Sequence, residues 1–208
     1  MKKRYHIQVM YTLNWIRTLP VYLFVLTSEQ RNLIEMDLTR WAQIQHLKTK
    51  GLCATLNWLL SYKKEFRNLL LHRLKKPSNT LKANLQYYAT RLLWKPLDSL
   101  YLETEQIGGG LYIQHGFSTI VDATRIGEYC WINQQVTIGY NARGNPTLED
   151  HVTVSCGAKV LGPVTVSRNS TVGAGAVVVK DVPENAIVGG VPAKIIRYKQ
   201  EEELALQG

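Results

Sequence analysis

The chain has 208 residues, 45% of them apolar, and a net charge of +9, which allows one full domain and a smaller appendage. Residues 1–106 carry 17 Lys and Arg against 7 Asp and Glu, a balance of +10, whereas residues 107–208 carry 8 against 9. A basic half of this kind suits an anionic membrane surface or a solvated helical face; with no nucleic-acid-reading motif present, nucleic acid is set aside as a partner.

The N-terminus is basic, and Thr18–Thr27 holds only a short apolar run. It falls well below the ~20 residues needed to span a bilayer, and no small-residue cleavage site follows it. A cytoplasmic protein is expected, with peripheral contact at the inner face of the cell membrane. Tyr11–Leu26 is apolar and aromatic, interrupted by Pro20. Residues 31–74 read as helical: Leu52, Leu56, Leu59, Leu60, Phe66, Leu69, Leu70 and Leu74 follow an i, i+3, i+4 stripe. Lys63, Lys64, Arg67 and Arg73 are expected on the surface. Lys75–Asn79 reads as a break, with Pro77 and Ser78 opening a further helix to about Leu93. Residues 1–100 are thus expected to form a basic α-helical region. It has two compatible readings: a cap on the end of the following domain, or an apolar and basic face resting on anionic lipid.

From residue 101 the pattern changes. Ile120, Ile126, Ile132 and Ile138, then Leu148, Val154, Val160, Val166, Val172 and Val178 recur every six residues with one interruption; Ile107 and Ile113 precede them with one extra residue. Four places after each anchor from Ile120 to Val178 lies a small residue: Thr124, Cys130, Val136, Ala142, Val152, Ala158, Val164, Ser170, Ala176 and Val182. A six-residue period is the mark of a hexapeptide-repeat parallel β-helix, expected over 101–190, with a charged tail over 191–208. Three hexads make one triangular turn. The hexads at Ile113, Ile132, Val154 and Val172 therefore share a face, and His115, Gln134, Cys156 and Ala174 should stack in one column.

The interruption between Ile138 and Leu148 is four residues longer than a hexad, so Tyr140–Thr147 must leave the coil as a loop. Asn141, Arg143 and Asn145 on it are candidate acceptor-binding residues, with Gln134 in the column and Gln114 next to His115. Among the three cysteines, none has metal-type spacing; Cys130 falls in the buried small-residue column and free thiols are expected. With only His115 and His151 in the coils, no three-histidine metal site is available, and none is assigned.

Gly110–Gly116 (GLYIQHG), Ile132–Gly139 (INQQVTIG) and Gly173–Ala193 (GAGAVVVKDVPENAIVGGVPA) resemble the left-handed β-helix acetyltransferases. The likeness is to the branch holding serine acetyltransferases and, most closely, the O-acetyltransferases of bacterial capsular and surface polysaccharides. It covers about residues 101–197. It implies a left-handed coil, a homotrimer with active sites between subunits, and acetyl-CoA as the acyl donor. His115 matches the catalytic histidine and would act as general base in a direct transfer. Tyr140, Cys156 and Ala174 match cofactor-binding positions. Lys180 and Lys194 lie in the closing motif and are assigned to the CoA phosphates. Three rungs at ~4.8 Å span roughly 14 Å, suited to an extended pantetheine arm.

The acceptor is read from the departures. Serine acetyltransferases carry an arginine and a histidine before a proline in the extruded loop; here the stretch is Gly144-Asn145-Pro146. The acidic residue usual before the catalytic histidine is Gln114. A zwitterionic serine loses two charged partners this way, with Arg143 one position off. The expected acceptor is accordingly a sugar hydroxyl of a surface or capsular polysaccharide or its precursor. Serine is the alternative, and a non-catalytic β-helical scaffold the third reading.

Overall fold

The computed structural model describes residues 2–75 and 80–200, with side chains from residue 13 onward. It comprises two units, Met1–Leu97 and Asp98–Gly208.

The first unit is helical: α1 (Lys2–Leu26), α2 (Arg31–Ile44), α3 (Leu52–Tyr62), α4 (Lys64–Lys75) and α5 (Leu81–Leu93). α1 runs unbroken through Pro20. Burial of Thr18, Val21 and Val25 on its inner side offsets the backbone bond that proline removes. The single helical stretch expected over 31–74 is three helices, with Lys63 leaving the helical region at φ −123°. The leucine stripe lines the core as expected, with Leu56, Leu59, Leu60, Phe66, Leu69, Leu70 and Leu74 buried. Of the expected break, residues 76–79 lie outside the described residues. α5 is capped by Thr80, whose hydroxyl accepts from the Ala83 N–H at 3.2 Å.

Two of the expected surface cations are elsewhere. Arg73 is buried on Asp37, Nε to Oδ2 at 2.9 Å and Nη2 to Oδ1 at 3.3 Å, each side chain no more than 2% exposed. Arg67 donates to the carbonyls of Leu60 (2.7 Å) and Lys95 (2.8 Å) while lying over the Trp94 ring. Burial, and then the nearby Arg17, pull its guanidinium below its usual pKa.

The second unit is a parallel β-solenoid of five turns. The first contains β1 (Leu100–Leu102), β2 (Gln106–Ile107) and β3 (Tyr112–Ile113); the second β4 (Thr119–Val121), β5 (Arg125–Ile126) and β6 (Trp131–Ile132). Then come β7 (Thr137–Gly139), β8 (Thr147–Leu148), β9 (Thr153–Val154), β10 (Lys159–Leu161), β11 (Thr165–Val166) and β12 (Thr171–Val172). The last turn holds β13 (Val177–Val178) and β14 (Ala186–Gly189). Three sheets result: β1-β4-β7-β10-β13, β2-β5-β8-β11 and β3-β6-β9-β12-β14. We call them sheets A, B and C. β15 (Lys194–Tyr198), which falls in the expected tail, pairs antiparallel with β14 and edges sheet C. The inward aliphatics stack rung on rung, Ile126 on Leu148 and Ile132 on Val154, each contributing about 1.5–3 kcal/mol when buried.

One anchor is displaced. Ile120 is 44% exposed and Val121 is fully buried, paired with Ile138. The corner before β4 is two residues longer than the other corners between these two sheets, and the step from Val121 to Ile126 is one shorter. A one-residue shift exchanges the two faces of a strand. The small-residue column shifts with it, Ala123 being buried where Thr124 was expected; separately, the long loop after Ile138 leaves Ala142 exposed and buries Pro146 in its place.

Candidate functional site

Sheet C and the corner leading from it to sheet A carry the predicted column. The register sets Ile113 beside Ile132, Ile132 beside Val154 and Val154 beside Val172. His115, Gln134, Cys156 and Ala174 consequently fall at successive levels of one corner. The backbone ladder there is regular above the second turn: the Gly157 N–H donates to the Gln134 carbonyl (3.0 Å) and the Gly175 N–H to the Cys156 carbonyl (2.9 Å). Gly157 and Gly175 hold φ of +71° and +66°, which spares a side chain at the tightest point of the bend. A Cβ added at Gly175 would meet nothing within 4 Å, so the corner backbone is open to an extended ligand.

The ladder breaks at His115. By the pattern above, its carbonyl should receive the Gln135 N–H. That N–H instead reaches Phe117 at 3.0 Å, while the His115 carbonyl accepts from the Phe117 N–H in a three-residue turn. Gly116 and Phe117 are the inserted residues that also displaced Ile120. His115 itself is exposed, with φ +56°, an uncommon conformation for a non-glycine residue and one that collects at functional sites. The column is thus a regular corner at three levels, with an exposed histidine at the fourth.

The remaining candidates sort by location. Tyr140 and Lys180 follow β7 and β13 and so sit at the opposite end of sheet A, both exposed. The loop Tyr140–Thr147 leaves from that same end. Asn141 and Gly144 exchange backbone bonds at 3.1 Å each, and Asn141 Oδ1 accepts the Arg143 N–H at 2.8 Å. Asn145 donates to Asp122 Oδ1 at 3.0 Å. Asn141 and Asn145 therefore shape and anchor the loop, and Arg143 is the exposed cation at its tip. Gln114 accepts from the Trp131 indole N–H at 3.2 Å, and Gln134 is half-buried in the column. Lys194 returns to the histidine side, because the Ala193 N–H donates to the Val177 carbonyl at 2.8 Å at the start of β13.

In one chain, then, His115, Gln134, Cys156, Ala174 and Lys194 come together, while Tyr140, Arg143 and Lys180 lie a full sheet width away. Lys159, a cation outside the closing motif and so passed over for Lys180 and Lys194, donates to the Gln135 and Gly157 carbonyls at 3.2 and 3.3 Å and ties the corner together. Its place at the start of β10, next to the column, was the available signal. Cys130 is buried and its thiol pushed up to about 12 by desolvation, which makes it inert as a nucleophile. All three cysteines are free.

No protein-family profile matches the chain. A serine acetyltransferase of Synechococcus elongatus is 41% identical over 96 residues, covering 44% of this chain and 39% of that protein. The chain thus spans less than half the length of this relative. The fold is shared with solved structures, among them two serine acetyltransferases. The Neisseria gonorrhoeae serine acetyltransferase in complex with serine aligns with a TM-score of 0.59 and 24% identity, over 86% of this chain and 74% of that one. The serine acetyltransferase of Brucella abortus in complex with coenzyme A aligns with a TM-score of 0.57 and 23% identity, over 83% and 69%. These relatives overturn the expected polysaccharide sugar as acceptor, and with it the closer likeness to the capsule enzymes. The replacements at Gln114 and Gly144-Asn145 are isolated departures within a similarity that extends over 96 residues. The chain is a hexapeptide-repeat β-solenoid with N-terminal helices, similar in sequence and fold to serine acetyltransferases.

Proposed function

We propose that the chain is an acetyl-CoA-dependent serine O-acetyltransferase that works as a homotrimer, with His115 as general base. The observation that carries this reading is the corner shared by His115, Gln134, Cys156 and Ala174, with small residues at two levels above an exposed histidine. Acetyl-CoA is a substrate here. Its pantetheine arm would lie along the open backbone at Cys156 and Ala174, with Lys194 toward its phosphates.

Neutral imidazole at His115 takes the proton from the serine hydroxyl as that oxygen attacks the thioester carbonyl. Collapse expels the CoA thiolate, which recovers the proton from the imidazolium. Acetyl has then moved from sulfur to oxygen with no covalent enzyme adduct. The serine carboxylate meets Arg143, the exposed cation of the loop.

The same geometry supports a trimer. Arg143, Tyr140 and Lys180 stand at the end of sheet A away from His115, which suits a site completed by a neighbouring copy. Tyr101 and Ile120, paired on the outer face of that sheet and both exposed, supply apolar area for the contact. The test is serine-dependent thiol release from acetyl-CoA. His115→Ala should lower it by about 10²–10⁴-fold. Arg143→Gln should raise the KM for serine by roughly tenfold or more, as expected for a lost charge-assisted hydrogen bond. Mixing the two variants should restore release, because mixed trimers contain sites with both residues intact. No serine-dependent release, or release indifferent to His115→Ala, would overturn the assignment.

A further inference from the structure

Helix α5 is amphipathic in the wrong sense for a helix that only packs inward. It buries Ala83, Gln86 and Thr90, and it exposes Leu81, Leu85, Tyr88 and Leu92 at spacings of four, three and four. Leu81 and Leu92 are 87% and 86% exposed. α1 repeats the arrangement: Thr18, Val21 and Val25 face the core while Leu13, Ile16, Leu19 and Leu23 lie exposed. The two helices are antiparallel neighbours. Lys82 Nζ donates to the Thr27 carbonyl at 2.9 Å at one end, and the Trp94 indole N–H to the Arg17 carbonyl at 3.4 Å at the other. One exposed leucine needs no explanation, but eight large apolar side chains in two outward rows do.

Charge selects what covers them. Neither Lys2–Leu26 nor Leu81–Leu93 contains an Asp or Glu, while they hold Lys2, Lys3, Arg4, Arg17, Lys82 and Arg91. A second copy set face to face on this surface by a two-fold axis would oppose cation to cation with no carboxylate on either helix to relieve them. An anionic lipid surface meets both properties at once: leucine rows enter the headgroup boundary, and cations meet phosphate. Among the described residues no helix is long and apolar enough to cross a membrane, so the contact would lie in the plane of the interface. We propose that the outer faces of α1 and α5 form a docking surface for a bilayer containing anionic lipid.

The experiment is co-sedimentation of the full chain with vesicles of phosphatidylcholine alone and of phosphatidylcholine with phosphatidylglycerol. Binding should be at least about tenfold stronger to the anionic vesicles and should weaken with added salt, since each cation near such a surface contributes about fivefold. Leu85→Asp with Leu92→Asp should lower it by a further tenfold or so. Far-UV circular dichroism should be unchanged, because both positions face away from the core. Lys82→Gln with Arg91→Gln should weaken binding while leaving the apolar rows intact. Equal binding by the leucine variant, or no preference for anionic vesicles, overturns the proposal. So does absent binding combined with a leucine variant whose sedimentation mass falls, which would assign the surface to a second copy.

Discussion

The solenoid and the helical unit bury their interiors in opposite ways. In the solenoid one contact is repeated, aliphatic on aliphatic between adjacent rungs. Its fully buried polar side chains, among the described residues, are Thr104, Thr119 and Ser170. The helical unit is aperiodic and spends burial on unique pairs: Asp37 with Arg73, Thr18 with Asn57 at 2.8 Å, and Trp94 under Arg17 and Arg67. A repeat spreads stability over nearest neighbours and leaves its corners free to vary. An aperiodic bundle concentrates stability in partners that have no substitute. That division suits the site, since the catalytic candidates occupy corners where an insertion such as Gly116-Phe117 is tolerated.

Four substitutions press on this contrast. Asp37→Ala should have the largest effect, about 3–5 kcal/mol, because it leaves the Arg73 guanidinium buried without its carboxylate. Helix-band circular dichroism during denaturation reads it, and a shift no greater than that of a surface change would break the contrast. Ile132→Ala in the middle of sheet C should cost about 3 kcal/mol, within the usual range for emptying an isoleucine site. Hydrogen exchange should show the loosening in the flanking rungs Ile113 and Val154; loosening of all five turns alike would deny nearest-neighbour behaviour. Gly127→Ala should cost roughly 1–3 kcal/mol, as for other overpacked sites. Its new Cβ would stand 2.5 Å from both the Glu149 carbonyl carbon and the Asp150 nitrogen, measurable as a lowered thermal midpoint. Thr80→Ala, which removes the α5 cap, should cost about 1 kcal/mol and be confined to that helix.

Legibility followed the same division. The hexad period placed the inward residues of the coils, the three-sheet turn and the histidine column, because each depends on a pattern that recurs within a few residues. It misassigned Ile120, since the extra length at His115–Ser118 is a local irregularity that the average rhythm conceals. The acceptor was misread for a related reason. The departures at Gln114 and Gly144-Asn145 are isolated residues, whereas the similarity to serine acetyltransferases runs over 96 residues of the coils, and single replacements do not reveal how the rest of a site compensates for them.

By itself, the sequence determined the period, the small-residue groove at Cys156 and Ala174, the candidate base His115 and the loop after Ile138. The period and the column follow from a hydrogen-bonded rung that repeats the same short pattern, the loop from its one long interruption, and the role of His115 from the resemblance. Only the tertiary structure decided that Val121 points inward and Ile120 outward, because strand faces depend on how the preceding corner closes. Arg73 shows the same dependence. Its burial requires Asp37, 36 residues earlier in the chain, and no local pattern announces that partner.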